Sequence, residues 1–118
     1  MKLFIFFVFL YISAISCNQP KFSPTANWSS DGITFANESV VGKEPYGIFI
    51  KSDNNIYVAD NENNRIHIWM NDSIYPTKTI YGNLSYPLCI FVTINGDIHI
   101  DNGLENDRVD QWISDADT

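Results

Sequence analysis

From Pro45 onward the chain alternates short apolar runs with clusters of Asn, Asp, Ser and Gly. Gly47 to Ile50 is apolar, and Ser52-Asp53-Asn54-Asn55 is a turn cluster. Ile56 to Ala59 is a second run, Asn61 to Asn64 a bend, and Ile66 to Trp69 a third run. Asn71-Asp72-Ser73 turns the chain again before a fourth run, Thr77 to Tyr81. Runs this short, rich in β-branched and aromatic residues and bounded by amide turns, predict a meander of antiparallel strands. Beyond the amino-terminal segment no stretch carries a helical period. Ile48 and Ile50 oppose Phe49, and Ile56 and Val58 oppose Tyr57 and Ala59, so both faces of these strands are apolar. A sheet with one wet face alternates apolar with polar; this one is expected to be covered on both.

The pattern recurs. Laying Pro45 over Pro87, an offset of 42, pairs "PYGIFIKSDNNIYVADNENN" with "PLCIFVTINGDIHIDNGLEN". Pro45/Pro87, Ile48/Ile90, Phe49/Phe91, Ile56/Ile98 and Asn64/Asn106 are identical, and Asp60/Asn102 is a close pair. After one inserted residue, Arg65/Arg108, Ile66/Val109 and Trp69/Trp112 match at an offset of 43. A period of about 40–50 residues marks stacked supersecondary units, four-stranded propeller blades among them. Asn95-Gly96 adds a strong hairpin signal in the second unit. Upstream, "WSSDGITFANESVVG" resembles "WMNDSIYPTKTIYG", which predicts an outer strand of an earlier unit before Pro45.

These patterns predict an all-β chain: a partial β-propeller of about two four-stranded antiparallel blades behind an amino-terminal signal peptide. The leader is "MKLFIFFVFLYISAIS", with basic Lys2, an apolar run from Leu3, and small residues at Ala14 and Ser16. It is shorter than the about 20 apolar residues of a comfortable membrane span. The expected layout is a signal peptide at 1–16, a linker at 17–27 and repeats over 28–118. Within the repeats, 28–44 is the outer strand of an incomplete unit, 45–86 a complete blade and 87–118 a truncated second blade.

Composition narrows the partners. The 118-residue chain has a net charge of −7, with few Lys and Arg. That excludes phosphate neutralisation as a basis for nucleic-acid binding, and with it an anionic membrane surface. Four N-x-[ST] acceptor sequons start at Asn27, Asn37, Asn71 and Asn83, which together with the leader predict a secreted, glycosylated protein. Cys17 and Cys89 either pair or leave Cys89 as a small buried apolar residue, the second being favoured.

The first unit resembles the NHL repeat, whose pattern runs Pro, a small or aromatic residue, Gly, an aliphatic run, a turn and then "iyVaDsgNnRiqvf". Pro45, Gly47, Asp60, Asn64, Arg65 and Trp69 are in register with it. The second copy keeps Pro87, Arg108 and Trp112, but has Cys89 for Gly and Asn102 for Asp. The resemblance implies six-bladed β-propellers, so further repeats, in cis or from other chains, are needed to close a ring. It also implies a structural role for the motif. Asp60 is expected to accept backbone N–H groups of the bend. Asn63 and Asn64 would adopt left-handed conformations, and Arg65 would pair with a carboxylate or with carbonyls of an adjacent blade.

Catalytic and metal-binding candidates are weak by comparison. His67 and His99 occupy different repeat positions and do not predict a shared zinc site, so strand or surface histidines are expected. Asp60, Glu62 and Asn64 have the first spacings of a helix-flanked calcium loop, but Arg65 stands where Gly is required. Asp101, Glu105 and Asp107 are a looser calcium candidate. No catalytic triad or phosphate loop stands out. The expectation is a non-catalytic binding module without cofactor, for a protein or glycan ligand, with Tyr46, Tyr81 and Tyr86 as anchors. The alternatives are a piece of a propeller enzyme resembling the amidating lyase or lactonase-like hydrolases, or a truncated product without autonomous function.

Overall fold

The computed structural model describes residues 23–114. The signal-peptide segment at 1–16 and Cys17 lie outside the described residues. The first sheet is built from β1 (Pro45–Ile50), β2 (Ile56–Asp60), β3 (Arg65–Trp69) and β4 (Lys78–Ile80). The second is built from β5 (Ile90–Val92), β6 (Ile98–Asp101) and β7 (Val109–Trp112). Each sheet is an antiparallel meander in sequence order, β1-β2-β3-β4 and β5-β6-β7. All seven lie where the apolar runs and their repeats placed them. The second sheet has three described strands.

Turn chemistry fixes the register in both sheets by the same device. In the first hairpin Asn54 N–H bonds the Lys51 carbonyl and Lys51 N–H bonds the Asn55 carbonyl, with Asn54 at φ 65°. In the second, Gly96 N–H bonds the Thr93 carbonyl and Thr93 N–H bonds the Asp97 carbonyl, with Gly96 at φ 95°. Each is a three-residue loop whose last member is left-handed. Asn54 and Gly96 occupy one repeat position, and both tolerate that conformation.

The ladders sort the side chains onto two faces. Tyr57 pairs with Phe49 and Ile68, and Ala59 with Ile66, so these five share one face of the first sheet. Ile48, Val58 and His67 pair on the other, along with Ile56 and Trp69. The first face packs on Ile90, Val92, Ile98 and Ile100 of the second sheet, with Leu84 from the linker sealing the cluster. Ile66 and Ile100 are fully buried there. Each such side chain contributes roughly 1.5–3 kcal/mol of transfer free energy, so this contact is the main core.

The opposite face of the first sheet is covered by the segment before it. Val41 packs with Val58 and Trp69, flanked by Ala36 and Val40, and the Phe35 ring lies 5.2 Å from that of Trp69. The outer strand expected within 28–44 is absent there. The chain instead makes one helical turn, α1 (Glu38–Val41), capped where Asn37 Oδ1 accepts Ser39 N–H. No described strand precedes Pro45 to offer a ladder, so the amides of 40–42 close on Asn37 and Glu38 carbonyls. A second turn, α2 (Gly103–Asn106), fills the β6–β7 bend at the inserted residue. Cys89 is also corrected: it is a free, exposed thiol and not a core residue.

Candidate functional site

The antiparallel meander brings the end of β2 beside the start of β3, and there the repeat motif forms a compact polar cluster. Asp60 is fully buried. Its carboxylate accepts Arg65 Nε at 2.6 Å, Asn63 Nδ2 at 3.0 Å and the Asn63 backbone N–H at 3.3 Å. Arg65 Nη2 also donates to the Val40 carbonyl at 3.3 Å, so the expected carboxylate partner is present, while the carbonyl partner comes from α1 and not from an adjacent blade. The Asp60 carboxylate holds Arg65 charged, above the ordinary guanidinium value. A buried carboxylate is tolerated only when paired and hydrogen-bonded in this way.

His67 lies deeper on the same face, 4 % exposed. Its Nδ1 is 3.0 Å from Thr79 Oγ1, and its Nε2 is 3.6 Å from Asp60 Oδ2. Burial pushes the imidazole below its usual value and the Arg65 charge adds to this, outweighing Asp60. The ring is therefore neutral near pH 7. The Thr79 contact orients the ring, and the buried Nε2 faces Asp60 beyond hydrogen-bond distance.

The bend reaches across to the next unit. Asn64, left-handed at φ 53°, accepts the Tyr86 backbone N–H on Oδ1 at 2.7 Å. Asn61 is buried, and its Nδ2 donates to the Pro87 carbonyl at 3.2 Å. These two amides fasten the linker between the sheets to the bend of the first. Asn63 is not left-handed; its side chain serves Asp60 instead.

The second sheet repeats the cluster with altered chemistry. Asn102, fully buried, accepts Ser85 N–H on Oδ1 at 2.7 Å and donates to the Asn83 carbonyl at 2.6 Å and to Asp110. Arg108 Nε bonds Asp110 at 2.9 Å. Hydrogen bonds from Asn102 and then Arg108 hold the Asp110 carboxyl below its usual value. Asn61 and Asp110 were not singled out in the sequence. Asn61 aligns with Gly103, and Asp110 with His67, so comparison of the repeats hid both.

At this same end of the sheets Tyr46, Tyr81 and Tyr86 are exposed, by 62%, 67% and 43%. Glu62, Glu105 and Asp107 are exposed in the adjacent bends. Pro45 pairs with Asp60 at this end of β1, and the Pro87 carbonyl is the acceptor for Asn61, whereas Trp69 lies in the core of the covered face and Gly47 where β1 passes the Leu88 backbone. Trp112 flanks the main core. His67 and His99 sit in different sheets, on β3 and β6. Among the described residues no group of three or more His, Cys, Asp or Glu converges as a metal site, Asp101, Glu105 and Asp107 included. All four sequon asparagines, Asn27, Asn37, Asn71 and Asn83, are exposed.

Two packed antiparallel meanders, the first with the Asp–Asn–Arg bend, are the arrangement of β-propeller blades. Residues 45–69 match the family model of the NHL repeat. Among solved structures the fold resembles the crystal structure of a virginiamycin B lyase from Staphylococcus aureus. That likeness has 13% identity and a TM-score of 0.41, and covers 60% of this chain and 27% of that one. The chain thus spans about a quarter of the length of that lyase. No curated protein matches the sequence.

Proposed function

We propose that the chain is a secreted, glycosylated NHL-type propeller segment that works as a non-catalytic binding module. Its binding surface is the end of the blades where the bends and the linker meet. The observation that carries this is the trio of exposed tyrosines, Tyr46, Tyr81 and Tyr86, on a frame whose polar groups are consumed by structure. Asp60, Arg65, Asn61, Asn64, Asn102 and Asp110 all bond within or between blades, which leaves the aromatic rings as the groups free to meet a partner. Tyrosines give large contact area at low entropic cost and dominate protein interfaces. The surrounding acids, Glu62, Glu105 and Asp107, suit a partner segment rich in Lys and Arg.

The test uses the full-length chain expressed by secreting eukaryotic cells. Release into the medium and a mass decrease on enzymatic removal of N-glycans support the secreted form. Retention inside the cell counts against it. Lys/Arg-rich peptides carrying one apolar anchor are then titrated against acidic peptides of equal length. Selective, salt-sensitive binding of the basic set is expected, with Tyr81→Ser and Tyr86→Ser each weakening it about tenfold or more. Metal-dependent turnover of lactones or amidated-peptide precursors by the same preparation overturns the non-catalytic assignment.

A further inference from the structure

The four sequons are not held alike. Around Asn27, Asn37 and Asn71 the serines bond to near neighbours at exposed positions. Ser29 Oγ accepts Asp31 N–H, Asn37 Oδ1 accepts the Ser39 N–H and hydroxyl, and the Ser73 hydroxyl donates to the Tyr75 carbonyl. The Asn83–Leu84–Ser85 sequon is gripped by the second sheet instead. Leu84 is buried in the main core. Asn102 Nδ2 donates to the Asn83 carbonyl at 2.6 Å, and Asn102 Oδ1 accepts Ser85 N–H at 2.7 Å. The Ser85 hydroxyl donates to Glu105 of α2 at 3.2 Å.

N-glycan transfer joins Asn Nδ2 to C1 of a lipid-linked oligosaccharide; Nδ2 loses one proton and the lipid diphosphate leaves. The hydroxyl two residues on is part of what is recognised, so the sequon must be presented free of the fold. Once Asn102 and Glu105 engage, presenting Ser85 means pulling Leu84 out of the core. Asn102 lies 19 residues after Asn83 and Glu105 lies 20 after Ser85, so the grip is synthesised after the sequon. Transfer and folding therefore race at this site. A glycan added first does not break the grip, because the Asn83 side chain is exposed and the grip uses its carbonyl.

Tyr81 and Asn83 line one cleft of about 370 Å³, together with Arg108, Asp110, Gln111 and Trp112. Aromatic rings beside hydrogen-bonding side chains suit a sugar. Tyr86 is three residues further, at most about 11 Å of chain. A glycan is bulky on this scale. We propose that Asn83 is glycosylated in only part of the molecules, and that where it is, the glycan covers Tyr81 and Tyr86. One sequon thus decides whether the tyrosine surface is open. This rests on the reading of the chain as secreted and glycosylated, and the bare form is the one that meets a basic partner.

One tryptic fragment, Thr79–Arg108, contains Asn83 and both tyrosines, so glycan and rings are read on the same molecule. The full chain is secreted from eukaryotic cells, its exposed Cys89 thiol is capped, and tyrosines are nitrated before digestion and mass spectrometry. The fragment is expected in a glycosylated and a bare form, with nitration severalfold lower on the glycosylated one. Glu105→Ala frees the Ser85 hydroxyl at an exposed position and raises the glycosylated share. Ser85→Ala abolishes that share and leaves every fragment reactive, while Tyr75, at the opposite end of the first blade, reacts as in wild type. An Asn83 that is wholly bare or wholly occupied, or rings equally reactive in the two forms, overturns the proposal. If all four sequons are bare, the glycosylated reading falls with it. Covered rings on a chain whose bare form ignores basic peptides uphold the masking and sink the binding reading alone.

Discussion

The carboxylate that holds Arg65 belongs to Asp60 at the end of β2, whereas the one that holds Arg108 belongs to Asp110 on β7, the repeat position of His67. Each arginine thus keeps an anionic partner, but the charge has moved from one strand to the next. Asn102 then stands where Asp60 does and bridges to Asp110 instead. Each bend holds its arginine with one carboxylate, in an Asp/His pair in the first blade and an Asn/Asp pair in the second.

That exchange is testable. Asp60→Asn removes the buried partner of Arg65 and is expected to cost about 2–3 kcal/mol, toward the lower end for a buried pair because Arg65 is partly exposed. Asp60→Asn/His67→Asp copies the second blade and is expected to recover more than half of the loss in urea unfolding. Additive losses in the double variant discard the idea of an exchangeable pair.

Stability also depends on His67. Its folded-state value is depressed while the unfolded value is about 6.5, so the unfolded chain takes up the proton first. The stabilisation is complete above about pH 6.5 and is lost as pH falls through the depressed folded value. His67→Gln is expected to flatten the decline in urea midpoint between about pH 7 and pH 5. Equal slopes in variant and wild type discard this role.

The amides of the bend latch the linker. Asn64→Gly keeps the left-handed backbone but deletes the bond to Tyr86 N–H, at a cost of about 1 kcal/mol. Asn61→Ala strands the Pro87 carbonyl and costs about 1–3 kcal/mol. Hydrogen exchange at the Tyr86 amide is the direct readout for Asn64→Gly, where it should accelerate, and the urea midpoint is the readout for Asn61→Ala. Unchanged exchange there means that the linker is held by other contacts.

Gly47→Ala and Cys89→Ala alter one repeat position in two settings. The first forces β1 away from Leu88 and is expected to cost about 1–3 kcal/mol. The second, at an exposed residue, should stay within about 0.5 kcal/mol of wild type. Similar losses for both contradict the close approach of β1 and β5.

Strand positions were legible because Ile48, Phe49, Tyr57 and Val58 have apolar neighbours on both sides, a pattern set by sheet geometry alone. The NHL pattern marked Asp60 and Arg65 as structural and gave Arg65 a carboxylate partner, but that the carboxylate is Asp60 itself emerged only from the antiparallel pairing of β2 and β3. The segment 28–44 was not legible. Its Trp and Gly match the outer strand of the next unit, but a strand forms only where another offers a ladder, and pattern does not report that. Cys89 misled for a related reason: its exposure follows from what lies beside the second blade, whereas its type suggested a core. Asn61 and Asp110 escaped because the two repeats solve the same problem with different residues.

The latch between the blades runs from side-chain amides to main chain, and not along a shared ladder of strands. The apolar core between the sheets opposes tilting one blade away from the other, and sliding one past the other also breaks both amide contacts at once.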